Sequence, residues 1–167
     1  MHGPATPPYF GNIFNLFRYK DWTLSFNVIY KLGHYFRKPS VNYYRILQFG
    51  DYIPTEYLDR WKAPGDELIT DVPAFIYPTQ SAAASFYQYA EINVERGDQI
   101  RLRDIRVAYK IPSRILRIKP VRSLELGGYY MGDDLLWKRN RFGLDPDYPR
   151  NEKLQPLFAI DLRIVLK

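Results

Sequence analysis

The chain has no cysteine, only two histidines, and no apolar run approaching the roughly 18 residues of a transmembrane helix. The absence of cysteine excludes disulfides and thiolate metal sites. His2 and His34 are too far apart in sequence to form a recognisable metal-binding motif. A glycine-rich phosphate loop and a GxSxG nucleophile motif are also missing. We therefore expect no cofactor, no metal and no enzymatic activity.

Two acidic motifs are the remaining candidates for a metal site. Asp133-Asp134 and Asp145-Pro146-Asp147 offer oxygen ligands of the kind that Ca²⁺ binds, but Ca²⁺ needs about six or more of them. Neither motif has the layout of an EF-hand. Aspartates beside glycine and proline commonly form turns. The sequence therefore favours a turn-forming role for both motifs.

Aromatic residues are abundant in this chain, which contains 15 Tyr, 10 Phe and 3 Trp. With 46% hydrophobic residues the chain is expected to fold. Tyr and Trp suit surfaces where one end of the ring is wet and the other apolar, such as membrane belts and sugar-binding sites. The mean hydropathy of -0.39 does not separate a soluble protein from a membrane barrel, whose strands alternate apolar and polar residues.

The segment at residues 97–112, GDQIRLRDIRVAYKIP, predicts a long β-strand because apolar and charged side chains alternate along it. Ile100 and Leu102 share one parity, whereas Ile105, Val107 and Tyr109 share the other. A β-bulge at Arg103-Asp104 would bring all five apolar side chains to one face. That apolar face would meet a second sheet in a soluble sandwich and lipid in an outer-membrane barrel.

Four further segments alternate in the same way, so we predict an all-β fold with an antiparallel up-and-down meander of about five long strands. The predicted strands are residues 11–19, 22–36, 99–110, 121–131 and 157–166. Short connections, at Lys20-Asp21 and residues 113–120, alternate with two long loops at residues 37–96 and 133–155. The long loops favour a barrel with one elaborated rim over a compact soluble domain. In a meander, strand 157–166 pairs with 121–131 on one side only.

The basic character of the chain is local. The net charge is +6, and nine Arg and Lys residues lie between Arg96 and Arg122 against two aspartates. Arginine-rich strands that carry Tyr can bind nucleic acid when the rings share a face with the arginines. Here Tyr109 lies opposite Arg106 and Lys110, which favours a barrel wall and predicts no nucleic acid. A soluble β-rich carbohydrate- or nucleic-acid-binding module remains the alternative.

Nearly the whole chain resembles the C-terminal part of a SusC/RagA-type TonB-dependent outer-membrane transporter, as found in Bacteroidetes. The resemblance rests on several motifs in a fixed order. They are PPYFGNIFNLFRYKDWTLSF, YLDRWKAPGDELITDVP, GDQIRLRDIRVAYKIP, LELGGYY, FGLDPDYP and the alternating final strand. Each motif is weak alone, but their order and spacing together are typical of this family.

The resemblance implies a fold and a function for the whole protein. The family forms a 22-stranded barrel with a plug in its lumen, located in the Gram-negative outer membrane. It imports glycans or peptides with energy from TonB, and a SusD-like lipoprotein covers its extracellular mouth. This chain would supply about the last five strands and two extracellular loops of the barrel, while the plug and the contact with TonB would belong to a missing N-terminal part.

The candidate site residues fall into three groups. The aromatic candidates for contact with substrate or partner are Tyr35, Tyr43, Tyr44, Tyr52, Tyr87, Tyr89 and Trp137, because flat rings stack on sugars and bury area at low entropic cost. A structural loop motif is predicted at Trp61, Pro64, Gly65 and Asp66. The basic side chains expected to face the lumen are Arg101, Arg103, Arg106 and Lys110. On the opposite face we expect an outward row of Trp22, Leu24, Phe26, Val28 and Tyr30, with Thr23, Ser25 and Asn27 inward.

Overall fold

The computed structural model describes residues 2–112, 120–150 and 152–166. These ranges contain seven strands and two α-helices. The strands are β1 (Tyr9–Tyr19), β2 (Trp22–Leu32), β3 (Tyr35–Arg37), β4 (Val94–Arg96), β5 (Gln99–Ile111), β6 (Val121–Lys138) and β7 (Leu157–Leu166). The helices are α1 (Tyr43–Phe49) and α2 (Ser81–Tyr89). None of the helices in these ranges is long and apolar enough to cross a membrane.

The five long strands form one antiparallel sheet in the order β1-β2-β5-β6-β7. Strand β5 pairs with β2 on one side and with β6 on the other. Within the described residues, β7 pairs with β6 and with no other strand. The predicted up-and-down meander is therefore confirmed. The predicted turn at residues 113–120 lies, except for Pro120, outside the described residues.

The predicted bulge in β5 is also confirmed. Asn27 pairs with Asp104 and Val28 pairs with Leu102, so that Arg103 is left over between them. Because two residues of β5 are opposite one position of β2, the side chains before and after Arg103 keep the same orientation. Ile100, Leu102, Ile105, Val107 and Tyr109 consequently share one face.

Two predicted boundaries need correction. The strand predicted at residues 22–36 ends at Leu32, because Gly33 takes φ +79 and turns the chain. Residues beyond this turn form β3, which pairs with β4 in a separate two-stranded sheet. Strand β6 continues to Lys138, so the loop predicted to begin at residue 133 begins at Arg139.

The chain between β2 and β5, residues 33–98, forms a loop layer with a core of its own. Val41, Tyr43, Val72 and Tyr87 are buried against one another. Asn42 immediately precedes helix α1, and its side chain accepts a hydrogen bond from the Arg45 amide and so caps the helix. A 3₁₀ helix forms at Thr55–Asp59. Helices α1 and α2 were not expected from the sequence.

The long sheet has an apolar face and an opposite face, called the polar face, which is mostly polar but along β1 carries Phe10, Phe14 and Leu16. The apolar face carries the even-numbered residues of β2, from Trp22 to Tyr30, and those of β7, from Phe158 to Leu166. On it Phe158 is 73% and Ile160 84% exposed. In the strands of this sheet the buried hydrophobic residue is Ala108, on the opposite, polar face. The sheet therefore has no hydrophobic layer packed on its apolar face within the described residues.

Candidate functional site

A buried arginine lies where the polar face of the sheet meets the loops. Arg101 of β5 is paired with Ile29 of β2 and Leu135 of β6, and its side chain is 1% exposed. A guanidinium is always protonated, so a buried one requires carboxylates and hydrogen-bond acceptors around it. The residues around Arg101 form a buried polar cluster.

Three aspartates and one glutamine surround the Arg101 guanidinium. Its Nη1 donates to the Asp133 carbonyl oxygen at 3.1 Å and lies 3.4 Å from the Asp133 carboxylate. Its Nε donates to the Gln99 side-chain oxygen at 2.9 Å and lies 3.2 Å from Asp147 Oδ2. Its Nη2 donates to Asp145. We call Arg101, Gln99, Asp133, Asp145 and Asp147 the arginine cluster.

The arginine cluster brings together the two acidic motifs of the sequence analysis. Asp145 accepts hydrogen bonds from the backbone amides of Asp147 at 3.0 Å and Tyr148 at 3.3 Å, the geometry of a turn. The aspartates thus shape a turn and also neutralise Arg101. In the described chain no group of three or more acidic or histidine side chains is arranged to hold a metal ion.

Asp147 joins the cluster to a second strand. Its carboxylate accepts from Lys31 Nζ of β2 at 2.7 Å and from Gln99 Nε2 of β5 at 2.8 Å. Burial raises the pKa of Asp147, but the hydrogen bonds from Lys31 and Gln99 and the charge of Arg101 outweigh it, so the pKa lies below its usual value. The contacts of the cluster therefore favour the ionised form of Asp147.

A second buried carboxylate, Asp98, connects the same region to the loop layer. It is 5% exposed and accepts a hydrogen bond from the Gly33 amide at 2.6 Å. Arg139 Nη1 lies 3.4 Å from it, and Arg139 is the first residue after β6. His34 is buried next to this turn, and desolvation lowers the pKa of its imidazole despite the nearby charges of Asp147 and Asp98.

The other predicted basic residues occupy the polar side of β5. Arg106 pairs with Asp161 of β7 at 2.7 Å and with Glu125 of β6 at 3.0 Å, an ion-pair network that spans three strands. Arg103, at the bulge, is 3.9 Å from Asp133 and half exposed. Lys110 is exposed and is paired in register with Glu125. Three of the four predicted residues therefore contact carboxylates of other strands.

Two of the predicted aromatic contact residues are in the core of the loop layer. Tyr43 is 7% exposed, and its hydroxyl donates to the Pro73 carbonyl oxygen at 2.6 Å. Tyr87 is also 7% exposed. Burial raises the pKa of Tyr43 to about 12 and raises that of Tyr87 as well. Tyr43 and Tyr87 therefore stabilise the core of the loop layer, and contact with a substrate or partner stays a prediction for both.

The remaining aromatic candidates do not form one patch. Tyr52 and Tyr89 are exposed, and the Arg37 guanidinium lies 5.2 Å from the Tyr89 ring. Tyr35 and Tyr44 are half-buried, and Tyr35 lies 5.6 Å from the Arg96 guanidinium. Trp137 lies in β6 rather than in the predicted loop. It is paired with Ile100, so it belongs to the apolar face of the sheet.

The predicted loop motif forms a compact local structure. Asp66 Oδ2 accepts from the amides of Lys62 at 2.7 Å and Ala63 at 3.0 Å, and these bonds lower the pKa of its carboxyl. Gly65 has φ +102, a conformation that favours glycine, and follows Pro64. The Trp61 indole donates to the Thr70 carbonyl oxygen at 2.5 Å. All of these contacts lie within the loop layer.

A cleft of about 380 Å³ separates the loop layer from residues 139–150. Phe142 and Leu144 form one side of it, and Glu56, Val72 and Tyr87 belong to the other. Glu56, which sequence reasoning did not single out, pairs with Lys38 at 3.3 Å and accepts from the Val41 amide. No periodic signal marks Glu56, because its partners lie 15 and 18 residues away in irregular chain.

The architecture has counterparts among known structures. No protein-family model and no curated protein matches this chain. A structure of the RagAB peptide transporter matches 83% of the chain and 15% of its own chain, with 16% identity and a TM-score of 0.56. The RagAB peptide importer in the "open-open" state matches 97% of the chain and 17% of its own, with 16% identity and a TM-score of 0.59. At these identities the likeness is one of fold, and this chain spans about a sixth of the length of those chains.

Proposed function

We propose that this chain forms part of the barrel wall, rim and extracellular loops of a TonB-dependent outer-membrane nutrient importer of the SusC/RagA type. The fold shared with the RagAB transporter supports this assignment. The observation that carries it is the shape of the apolar face, which forms a band that slants across the sheet.

The slant follows from the strand register. The apolar face runs from Tyr9 to Tyr19 on β1 and from Phe158 to Leu166 on β7, and Phe158 is in the same row as Asn15. The midpoint of the apolar stretch on β7 therefore lies five residues further along the strand direction than the midpoint of the stretch on β1. Asn15 and Gly11 interrupt the stretch on β1.

A slanted band is what a flat membrane requires of tilted strands. Membrane-barrel strands tilt by about 35–45°. Across four inter-strand steps of about 4.8 Å, such a tilt displaces a level band by roughly 13–19 Å, or about four to six residues. The observed offset falls within that range. In a soluble sandwich a second sheet would have to cover the same apolar residues.

Aromatic rings border the band at both ends. Trp22 and Tyr109 lie together near the short-turn end, with ring centroids 4.7 Å apart. Tyr130 and Phe158 lie nearer the loops, with centroids 5.1 Å apart. Aromatic girdles at the two water interfaces are typical of membrane barrels. The opposite face carries the Arg106 ion pairs, which suit a wet interior.

The partner and the cargo follow from the same proposal. The solved counterparts are RagAB assemblies described as a peptide transporter or importer. We propose a SusD-like lipoprotein as the partner at the loop side, a glycan or peptide as the cargo, and TonB as the source of energy through another part of the protein. Exposed rings such as Tyr52 and Tyr89 are the proposed contact residues.

Extraction tests the proposed location. Membranes from cells that produce the protein are washed with high salt or alkaline carbonate and then treated with detergent. The proposal predicts that the protein stays in the membrane fraction until detergent is added. Release by the washes, as a monodisperse soluble species, would contradict it and would favour a soluble binding module.

A further inference from the structure

The segment from Arg139 to Arg150 has neither helix nor strand, yet it lies in a defined position against the polar face of the sheet. Its internal contacts are few and local. Asn140 donates to the Leu144 carbonyl oxygen at 2.8 Å, and Asp145 accepts from the amides of Asp147 and Tyr148. Such contacts shape a turn, but they do not attach it to the rest of the chain.

The described attachments of the segment are mostly ionic, and most of them converge on Arg101 and Asp147. Outside that centre, Lys138 Nζ of β6 donates to the Gly143 carbonyl oxygen, and Lys38 Nζ of the loop layer lies 4.5 Å from the Phe142 ring centroid. Asp145 and Asp147 bind Arg101, and Asp147 also binds Lys31 and Gln99. The Tyr148 ring lies 5.4 Å from the Arg101 guanidinium. At the start of the segment, Arg139 lies near Asp98. Arg101 is the centre of this arrangement because it contacts Asp133 of β6 as well as the segment.

Removal of the Arg101 charge would replace attraction within the arginine cluster by repulsion between its carboxylates. Asp133, Asp145 and Asp147 would then face one another with Lys31 beside Asp147 and the half-exposed Arg103 beside Asp133 as the remaining cations, and like charges at this distance repel. A buried ion pair that loses one partner is strongly destabilised because the remaining charge is left desolvated. The segment would therefore leave the sheet more readily than any part of the loop layer, which has its own core.

Departure of the segment from the sheet would change the cleft of about 380 Å³, because Phe142 and Leu144 of the segment form one side of this cleft. The opposite side belongs to the loop layer. We propose that residues 139–150 are a strap, that the arginine cluster is its latch, and that release of the latch opens the cleft on that side. The proposal depends on contacts within the chain and is independent of the proposed transport function.

This chain contains no cysteine, so a single introduced thiol is unique within residues 1–167, and any cysteine elsewhere in the complete gene product is first replaced by serine. Leu144→Cys places a reporter on the strap, where residue 144 is half-buried. Ala84→Cys places a second reporter in the loop core, where Ala84 is 8% exposed. The rate of maleimide labelling is measured for each reporter in the complete gene product, in the original background and with Arg101→Met. The matched control is Arg106→Met, which removes a paired arginine of the same strand.

If the arginine cluster is the latch, Arg101→Met should accelerate labelling at position 144 about tenfold or more and leave the labelling rate at position 84 unchanged. Asp145→Asn, a milder change at the same contact, is expected to accelerate labelling at position 144 in the same direction. Arg106→Met should change neither rate. An unchanged rate at position 144 in both cluster variants would overturn the proposal. So would equal acceleration at positions 144 and 84, since it would show unfolding of the whole loop region.

Discussion

The long sheet and the loop layer are stabilised in different ways. The loop layer buries Val41, Tyr43, Val72 and Tyr87 around a small core, while the apolar face of the sheet is left exposed. The sheet is held by its backbone ladders and by ion pairs on the polar face. A folded layer without a core of its own needs an apolar surrounding to stabilise it. The loop layer thus has a core of its own, whereas the proposed function requires lipid to cover the apolar face of the sheet.

Truncation of the loop core should give the largest local effect. Tyr87→Ala removes a buried ring and should destabilise the loop layer by about 3–5 kcal/mol, as for other buried aromatic residues. The sheet should keep its strand content, because Tyr87 belongs to the separate core of the loop layer. Limited proteolysis, combined with circular dichroism, checks both halves of this expectation. Equal loss of strands and loop structure would show that the two regions fold as one unit.

The second-largest expected effect is the difference in stability between charged substitutions on the two faces of β2. Val28→Arg puts a charge on the apolar face and should cost about 2–4 kcal/mol if it lies near the bilayer midplane. Asn27→Arg, its neighbour on the polar face, should cost little. Equilibrium unfolding of the complete protein in lipid vesicles measures both. Equal costs at the two positions would rule out a lipid-facing role for the even-numbered side chains of β2.

Acid should loosen the loop region in two separate steps. The pKa of His34 is lowered by burial from its ordinary 6.5, so the opened chain binds the proton more readily and stability falls as the pH drops below that value. The pKa of Asp147 also lies below its ordinary 3.8, so its ionic contribution is complete at neutral pH and is lost only when the pH falls below 3.8.

The two steps are measured by the hydrogen-exchange rates of the backbone amides of residues 139–150 as a function of pH, after correction for the intrinsic pH dependence of exchange. His34→Gln should remove the upper step and leave the lower one in place. A strap that opens fully near pH 6 in the His34→Gln variant would contradict the assignment of the lower step to the aspartates.

The sequence was sufficient to predict the five long strands, apart from the ends of β2 and β6, but not the short strands β3 and β4 or the contacts between loops. Alternation of apolar and polar residues predicts the strands, and the parity change at Arg103-Asp104 predicts the bulge, because both depend on near neighbours. Helices α1 and α2 are short, and α2, SAAASFYQY, has no charged residue to mark its exposed face. Partners in the arginine cluster are distant in sequence: Asp133 is 32 and Asp145 is 44 residues from Arg101. Their pairing depends on the folded loops, which no local pattern encodes.

Lipid contact along β7 tests the central claim most directly. Single cysteines at positions 158 to 164, introduced one at a time into the cysteine-free chain, are labelled with a fluorophore in vesicles of brominated lipid. The account predicts strong quenching at Phe158, Ile160, Leu162 and Ile164, and weak quenching at Ala159, Asp161 and Arg163. Uniform quenching along the strand, or none at the even positions, would contradict it.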